Sequence, residues 1–229
     1  MATLQSQLSS LQSTVSGVQG TVSDVQGTLS SVQSATKALS TTFNGVTRTT
    51  DVDGYATLQF SGMNVQVVNG TGEEYDDNGL GNLIVGYNDN DSDFPRTGSH
   101  NLVTGDDSGW SSYGGLIAGE GNESTDYYAS VTGGYNNIAS GAEAVVSGGG
   151  SNRATAENAA VLGGADDTVS GLAASVAGGF DNIANLGNAS VTGGDDNTAH
   201  GSLSWIGGGY EQTVTADCQG VPTVPVGAC

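Results

Sequence analysis

A chain of 229 residues with 38 glycines and only 6% aromatic residues is too poor in large apolar side chains for a thick globular core, so its stability must come from stacking and from partner chains. Four basic residues (Lys37, Arg48, Arg96 and Arg153) against 24 acidic ones leave a formal charge of -20. Nucleic-acid backbones and anionic membranes both demand clustered Lys and Arg, so neither is an expected partner. The acidic balance suits either an ordinary extracellular protein or one working in concentrated salt, where at about 1 M the Debye length falls to about 3 Å and self-repulsion is screened.

From the N-terminus, a heptad runs unbroken over residues 4 to 43. Leu8, Val15, Val22, Leu29, Thr36 and Phe43 fill one seam position, and Leu4, Leu11, Val18, Val25, Val32 and Leu39 the other. Apolar spacings of 3 and 4 held this long predict a coiled coil, and β-branched residues at both positions predict three strands or more rather than two. Residues 1–46 therefore read as a homotrimeric stalk, about 60 to 65 Å long. Gly, Ser and Thr fill the remaining positions and are poor helix formers, so the helix is expected to form only with its partners. The first residues, MATLQSQLSSLQS, have no basic n-region and no continuous apolar h-region, so no export signal is expected there, nor any membrane span further on.

Asn44 and Gly45 mark the end of the helix. Residues 47–113 read as a β-rich transition. Tyr55, Thr57, Gln59 and then Val65, Val67 alternate as in two or three strands, residues 71–79 (TGEEYDDNG) form an acidic loop, and LIVG at 83–86 and LVTG at 102–105 resemble early coils of a repeat further along the chain. Between those two, residues 87–100 form a longer loop expected to project as a recognition loop or to serve only as a junction.

From 114 to 215 the sequence repeats every 15 residues, with glycine pairs at 133-134, 148-149, 163-164, 178-179, 193-194 and 208-209. Val131, Val146, Val161, Val176, Val191 and Ile206 precede the pairs. Ala129, Ala144, Ala159, Ala174, Ala189 and Ser204 stand two residues earlier, on the same face of a strand. A fixed short period is the mark of a solenoid whose coils bury their apolar side only by stacking. Fifteen residues suit two short strands and two turns, giving a mainly β protein with about seven coils. Asn137, Asn152, Asp167, Asn182 and Asn197 are assigned to a turn column, and the interior to Ala, Val and Gly alone. After Val214 the repeat stops, and the tail 216–229 holds Cys218 and Cys229, close enough for a disulfide in an oxidising medium.

The repeat A-S-V-x-G-G-x-x-N-x-A-S-G resembles the head repeats of trimeric autotransporter adhesins over roughly residues 80 to 215. GLGNLIVGYNDND, RTGSHNLVTG and SSYGGLIAG resemble the opening of similar repeat proteins in bacterial and viral sequences. The resemblance implies a left-handed parallel β-roll that assembles as a trimer and binds surfaces. Those adhesins also carry a signal peptide and a membrane barrel, whereas a fibre made in the cytoplasm and released inside a particle needs neither. The expectation is therefore a virion tail fibre or receptor-binding protein, extracellular, joined to a larger particle by its stalk and meeting a host-surface glycan or protein. A cell-surface adhesin exported by another route and a polysaccharide-degrading spike are the alternatives.

No enzyme signature stands out. His100 and His200 have no fixed spacing to a carboxylate or nucleophile. Asp166, Asp181, Asp196 and Glu211 share one register about 4.8 Å apart along the stack, so calcium or another cation is the cofactor they admit, beside the plainer reading of solvated turn residues. Receptor contacts are assigned to Tyr87, Phe94, Arg96 and His100 in the long loop and to Trp205 and Tyr210 near the far end. Asn-x-Ser/Thr sequons stand at Asn69, Asn90, Asn122 and Asn188.

Overall fold

A computed structural model describes residues 2–87 and 89–221. The chain divides into two compact units, Met1–Gln66 and Val67–Cys229.

The first unit opens with one helix, α1 (Ala2–Thr42), in which no residue is buried. Along the seam, exposure runs from 47% at Val15 to 74% at Leu4. Its many Ser and Thr hydroxyls turn back onto carbonyls one turn earlier, as Thr14 does to Ser10 (3.0 Å) and Thr28 to Asp24 (3.0 Å). The helix ends at Thr42 and the turn after it closes at Gly45, whose φ of +89° is readily reached only without a side chain; a Cβ there would also lie 2.4 Å from the Ser61 carbonyl oxygen. Beyond it lies a hairpin, β1 (Val46–Thr50) pairing antiparallel with β2 (Ala56–Phe60). Asp51 shapes its turn, its Oδ1 accepting from the backbone N–H groups of Asp53 (3.1 Å) and Tyr55 (2.9 Å). Of the two or three strands expected here there are two, and residues 64–69 are irregular.

The second unit is a parallel β-solenoid of about nine turns, two more than the seven read from the repeat. Its first ladder runs through β3 (Leu83–Val85), β4 (Leu102–Asp106) and β6 (Leu116–Glu120) and then through two-residue strands from Ser130–Val131 to Gly220–Val221. A second ladder begins with β5 (Gly109–Trp110) and β7 (Glu123–Ser124) and ends at Thr213–Val214. The additional coils escape the 15-residue period because their lengths differ. Ile84 pairs with Val103, 19 residues on, and Val103 with Ile117, 14 on, before the spacing settles at 15 from Val131 to Val146.

The valine column and the alanine columns of both strands form one continuous core with almost no exposed surface. Each buried Val contributes roughly 1.5–3 kcal/mol, and each is sealed only by the coils above and below it. Val103, Trp110 and Ile117 make a separate small core under the early coils. The expectation that only Ala, Val and Gly line the interior is corrected by a polar column. Asn122, Asn137, Asn152, Asp167, Asn182 and Asn197 are fully buried rather than set on an outer turn. The second glycine of each pair makes room for them: a Cβ on Gly149 (φ +87°) would sit 2.0 Å from the Gly164 carbonyl oxygen and 2.6 Å from Asn152 Nδ2.

The pairing expected between Cys218 and Cys229 lies outside the described residues, because Cys229 is not among them. Among the described residues no helix is long and apolar enough to cross a membrane.

Candidate functional site

The interior asparagines form a continuous ladder. Each Oδ1 accepts from the backbone N–H of the equivalent residue one coil on, as in Asn137 N to Asn122 (2.8 Å), Asn152 N to Asn137 (2.9 Å) and Gln212 N to Asn197 (3.0 Å). Each Nδ2 donates twice, to a carbonyl four residues back and to a glycine carbonyl twelve residues on. Asn152 reaches Gly148 (2.9 Å) and Gly164 (3.0 Å), and Asn182 reaches Gly178 (3.2 Å) and Gly194 (3.0 Å). The ladder thus supplies a donor to the inward carbonyls four residues back, such as Gly148 O, and a second donor to the glycine carbonyls twelve residues on, which already accept a backbone N–H, as Gly164 O does from Gly150 (3.0 Å).

One rung differs chemically. Asp167 accepts from Asn182 N–H (2.8 Å) and Nδ2 (3.0 Å) through Oδ1, but its Oδ2 is buried with no partner. The repeat register places that oxygen where every other rung has an NH2 group, opposite the carbonyls of Gly163 and Gly179. An acceptor there faces acceptors. Burial is the main cause that raises the Asp167 carboxyl pKa, with Asp181 and Asp166 adding to it, against the lowering effect of the two hydrogen bonds from Asn182. A proton on Oδ2 would turn one of the clashes into a donor-to-carbonyl contact.

The carboxylate column expected to interest a cation, Asp166, Asp181, Asp196 and Glu211, lies on the outside. All four residues are in the left-handed region, at φ +58°, +52°, +57° and +52°, and each backbone N–H reaches back one coil, as Asp181 does to Ala165 O (3.0 Å). Asp is among the side chains that accept this conformation with least penalty, which accounts for its recurrence at the corner. Among the described residues no group of three or more His, Cys, Asp or Glu side chains is arranged to hold a metal ion.

The residues assigned to receptor contact fall into two sets. In the long loop Tyr87 is fully exposed, but Phe94, Arg96 and His100 are half-buried and engaged internally. The Arg96 guanidinium lies 5.0 Å from the Trp110 ring centroid and donates to the carbonyls of Ser108 (2.9 Å) and Asp89 (2.7 Å), tying the loop down. Phe94 N–H donates to Asn90 Oδ1 (2.9 Å). His100 Nε2 accepts from Asn69 N–H (3.1 Å), and its Nδ1 is 3.8 Å from Glu74. Its ring braces the acidic loop. At the other end Trp205 and Tyr210 each keep over 40% of their surface exposed, on different ladders of the last coils, with Trp205 Nε1 donating to Thr192 Oγ1 (3.1 Å). The Tyr210 hydroxyl pKa is raised, first by its hydrogen bond to Glu211 and then by that carboxylate's charge.

Of the four sequons, Asn122 is fully buried and Asn69 nearly so, each spent on internal hydrogen bonds, while Asn188 is exposed. Sequence reasoning did not single out Trp110 or the exposed tyrosines Tyr75, Tyr127 and Tyr128. The signal for the latter lay in Tyr113 and Tyr127, which recur at the 14-residue spacing of the early coils. No known protein-family profile matches the sequence, and no curated protein is significantly similar to it.

Proposed function

We propose that the chain is the subunit of a homotrimeric attachment fibre, a virion tail fibre or receptor-binding protein. In it α1 forms a three-stranded coiled-coil stalk joined to a larger particle, and the solenoid forms a left-handed β-roll head that meets a host-surface glycan or protein. The observation that carries this reading is the α1 seam: a continuous apolar stripe, held in strict heptad register for over five heptads, is entirely exposed in the single chain. An isolated helix rich in Gly, Ser and Thr is marginal in water, and burying that stripe between three copies supplies what propensity does not. The head supports attachment through exposed aromatic side chains, which give large contact area at low entropic cost: Tyr87 in the long loop, and Trp205 and Tyr210 in the last coils.

Competition tests the function. Purified full-length protein is expected to block attachment of the particle to its host, and removal of residues 203–229 is expected to abolish the block while leaving the oligomer intact. A protein that neither binds host cells nor competes would instead be a collar or spacer.

A further inference from the structure

Four tyrosine rings meet at one corner of the early coils. Tyr113 stacks on Tyr127 with centroids 6.1 Å apart and planes 16° from parallel. Tyr128 stands nearly perpendicular to both, with its centroid 5.4 Å from Tyr113 and 5.8 Å from Tyr127. Tyr75, from the acidic loop, tilts onto Tyr113 at 5.4 Å. Backbone register holds the rings in place. Tyr113 and Tyr127 each stand three residues beyond paired residues of β5 and β7, Trp110 and Ser124, and Tyr128 N–H donates to the Tyr113 carbonyl (2.8 Å). Tyr128 occupies the left-handed corner of its coil (φ +56°), an unfavourable place for a bulky side chain. The coil below has Gly114 at the same corner, and a Cβ there would lie 2.6 Å from the Tyr128 ring, so that glycine makes space for it.

Aromatic rings that pack this way in a core are simply core, but three of these are open: Tyr75 by 66%, Tyr128 by 43% and Tyr127 by 37%. The surroundings are anionic. Asp77 interacts with Tyr113 through its charge and accepts a hydrogen bond from Ser112, next to that tyrosine; Asp76 stands beside it. The Asp126 carboxylate accepts from Tyr127 N–H (2.8 Å), and Glu74 faces His100. The two arginines of this unit are placed at other contacts, Arg96 over Trp110 and Arg153 in the strand Arg153–Ala154. Negative π faces with carboxylates nearby attract a weakly hydrated organic cation and repel phosphate and carboxylate ligands.

We propose that Tyr75, Tyr113, Tyr127 and Tyr128 form a binding site for an organic cation, a quaternary ammonium group or the guanidinium or ammonium end of a partner's side chain. The site stands on ring geometry and local charge and is independent of the attachment reading. A head that binds cations but does not compete for the host surface overturns that reading alone.

The experiment monitors tyrosine-ring NMR signals of the full chain, with potassium chloride holding ionic strength constant within each titration, and is repeated at a second ionic strength. The chain is titrated separately with tetramethylammonium chloride, N-acetylarginine amide, N-acetylglucosamine and sodium chloride. Saturable shifts of these four rings with one or both organic cations, and none with the sugar or sodium, are expected. The tighter of the two cations identifies the source, a small-molecule or lipid headgroup against a protein side chain. Tyr75→Ala, in an exposed loop, is expected to weaken binding several-fold and Tyr113→Ala to abolish it, while Tyr113→Phe retains it because the ring face binds, not the hydroxyl. Asp77→Asn is expected to weaken binding and to flatten its salt dependence. An absence of saturable shifts, an equal response to the sugar, or unchanged binding in Tyr75→Ala would overturn the assignment.

Discussion

Asp167→Asn is expected to stabilise the protein at neutral pH by roughly 1–3 kcal/mol, the usual cost of one buried unsatisfied polar group, which corresponds to about 2–4 °C in Tm per kcal/mol for a chain of this size. The substitution changes no volume. It gives the one deviant rung the NH2 group that its neighbours use to reach two carbonyls, and it removes the orphaned Oδ2. The effect has a defined pH dependence. The folded-state carboxyl pKa is raised, so the stability associated with Asp167 is present below its unfolded value, about 3.9, and is lost as pH rises through the folded value. The gap between variant and parent is therefore largest at neutral pH and narrows on acidification. It does not close, since one proton supplies one donor where asparagine supplies two. Melting curves from pH 4 to 8 check this, and a gap that stayed constant or widened towards acid would contradict the ladder account.

Replacing Val22 and Val25 together by Asp is expected to dissociate the proposed trimer. Three chains would bring six carboxylates (3 × 2) into a buried seam, at a cost of several kcal/mol per uncompensated charge. The released helix is too poor in helix formers to persist alone, so the helical circular dichroism should fall with the mass while the β signal of the solenoid remains. Ser30→Asp, outside the seam, adds a charge without these consequences and serves as the control. Loss of helix with unchanged mass would show that some other surface holds the copies together.

The parts of this fold legible in the sequence are those governed by a strict period. The helix follows the heptad to within a residue or two at each end, and the buried valine column follows the position two residues before each glycine pair. The early coils were legible as strand motifs, LIVG at 83–86 and LVTG at 102–105, but spacings of 19 and 14 kept them out of a count of 15-residue coils. The asparagine column was visible as a column and misplaced. Asparagine is both a turn residue and a side chain able to satisfy inward carbonyls, and composition does not say which face of the chain it takes. Asp167 stood out as the single acid among amides only once that column proved to be interior. Arg96 over Trp110 joins residues 14 apart, and the tyrosine corner joins Tyr75 to Tyr113 across 38. Those contacts depend on how coils of unequal length stack, which no local pattern encodes.

The central claim, a fibre built on a three-stranded stalk, is most directly tested by the mass of the full chain in solution by light scattering, measured at low and at high salt to screen the formal charge of -20 per chain. The account predicts 68.1 kDa, three times 22.7 kDa, at both salt concentrations. A mass of one or two chains would contradict it.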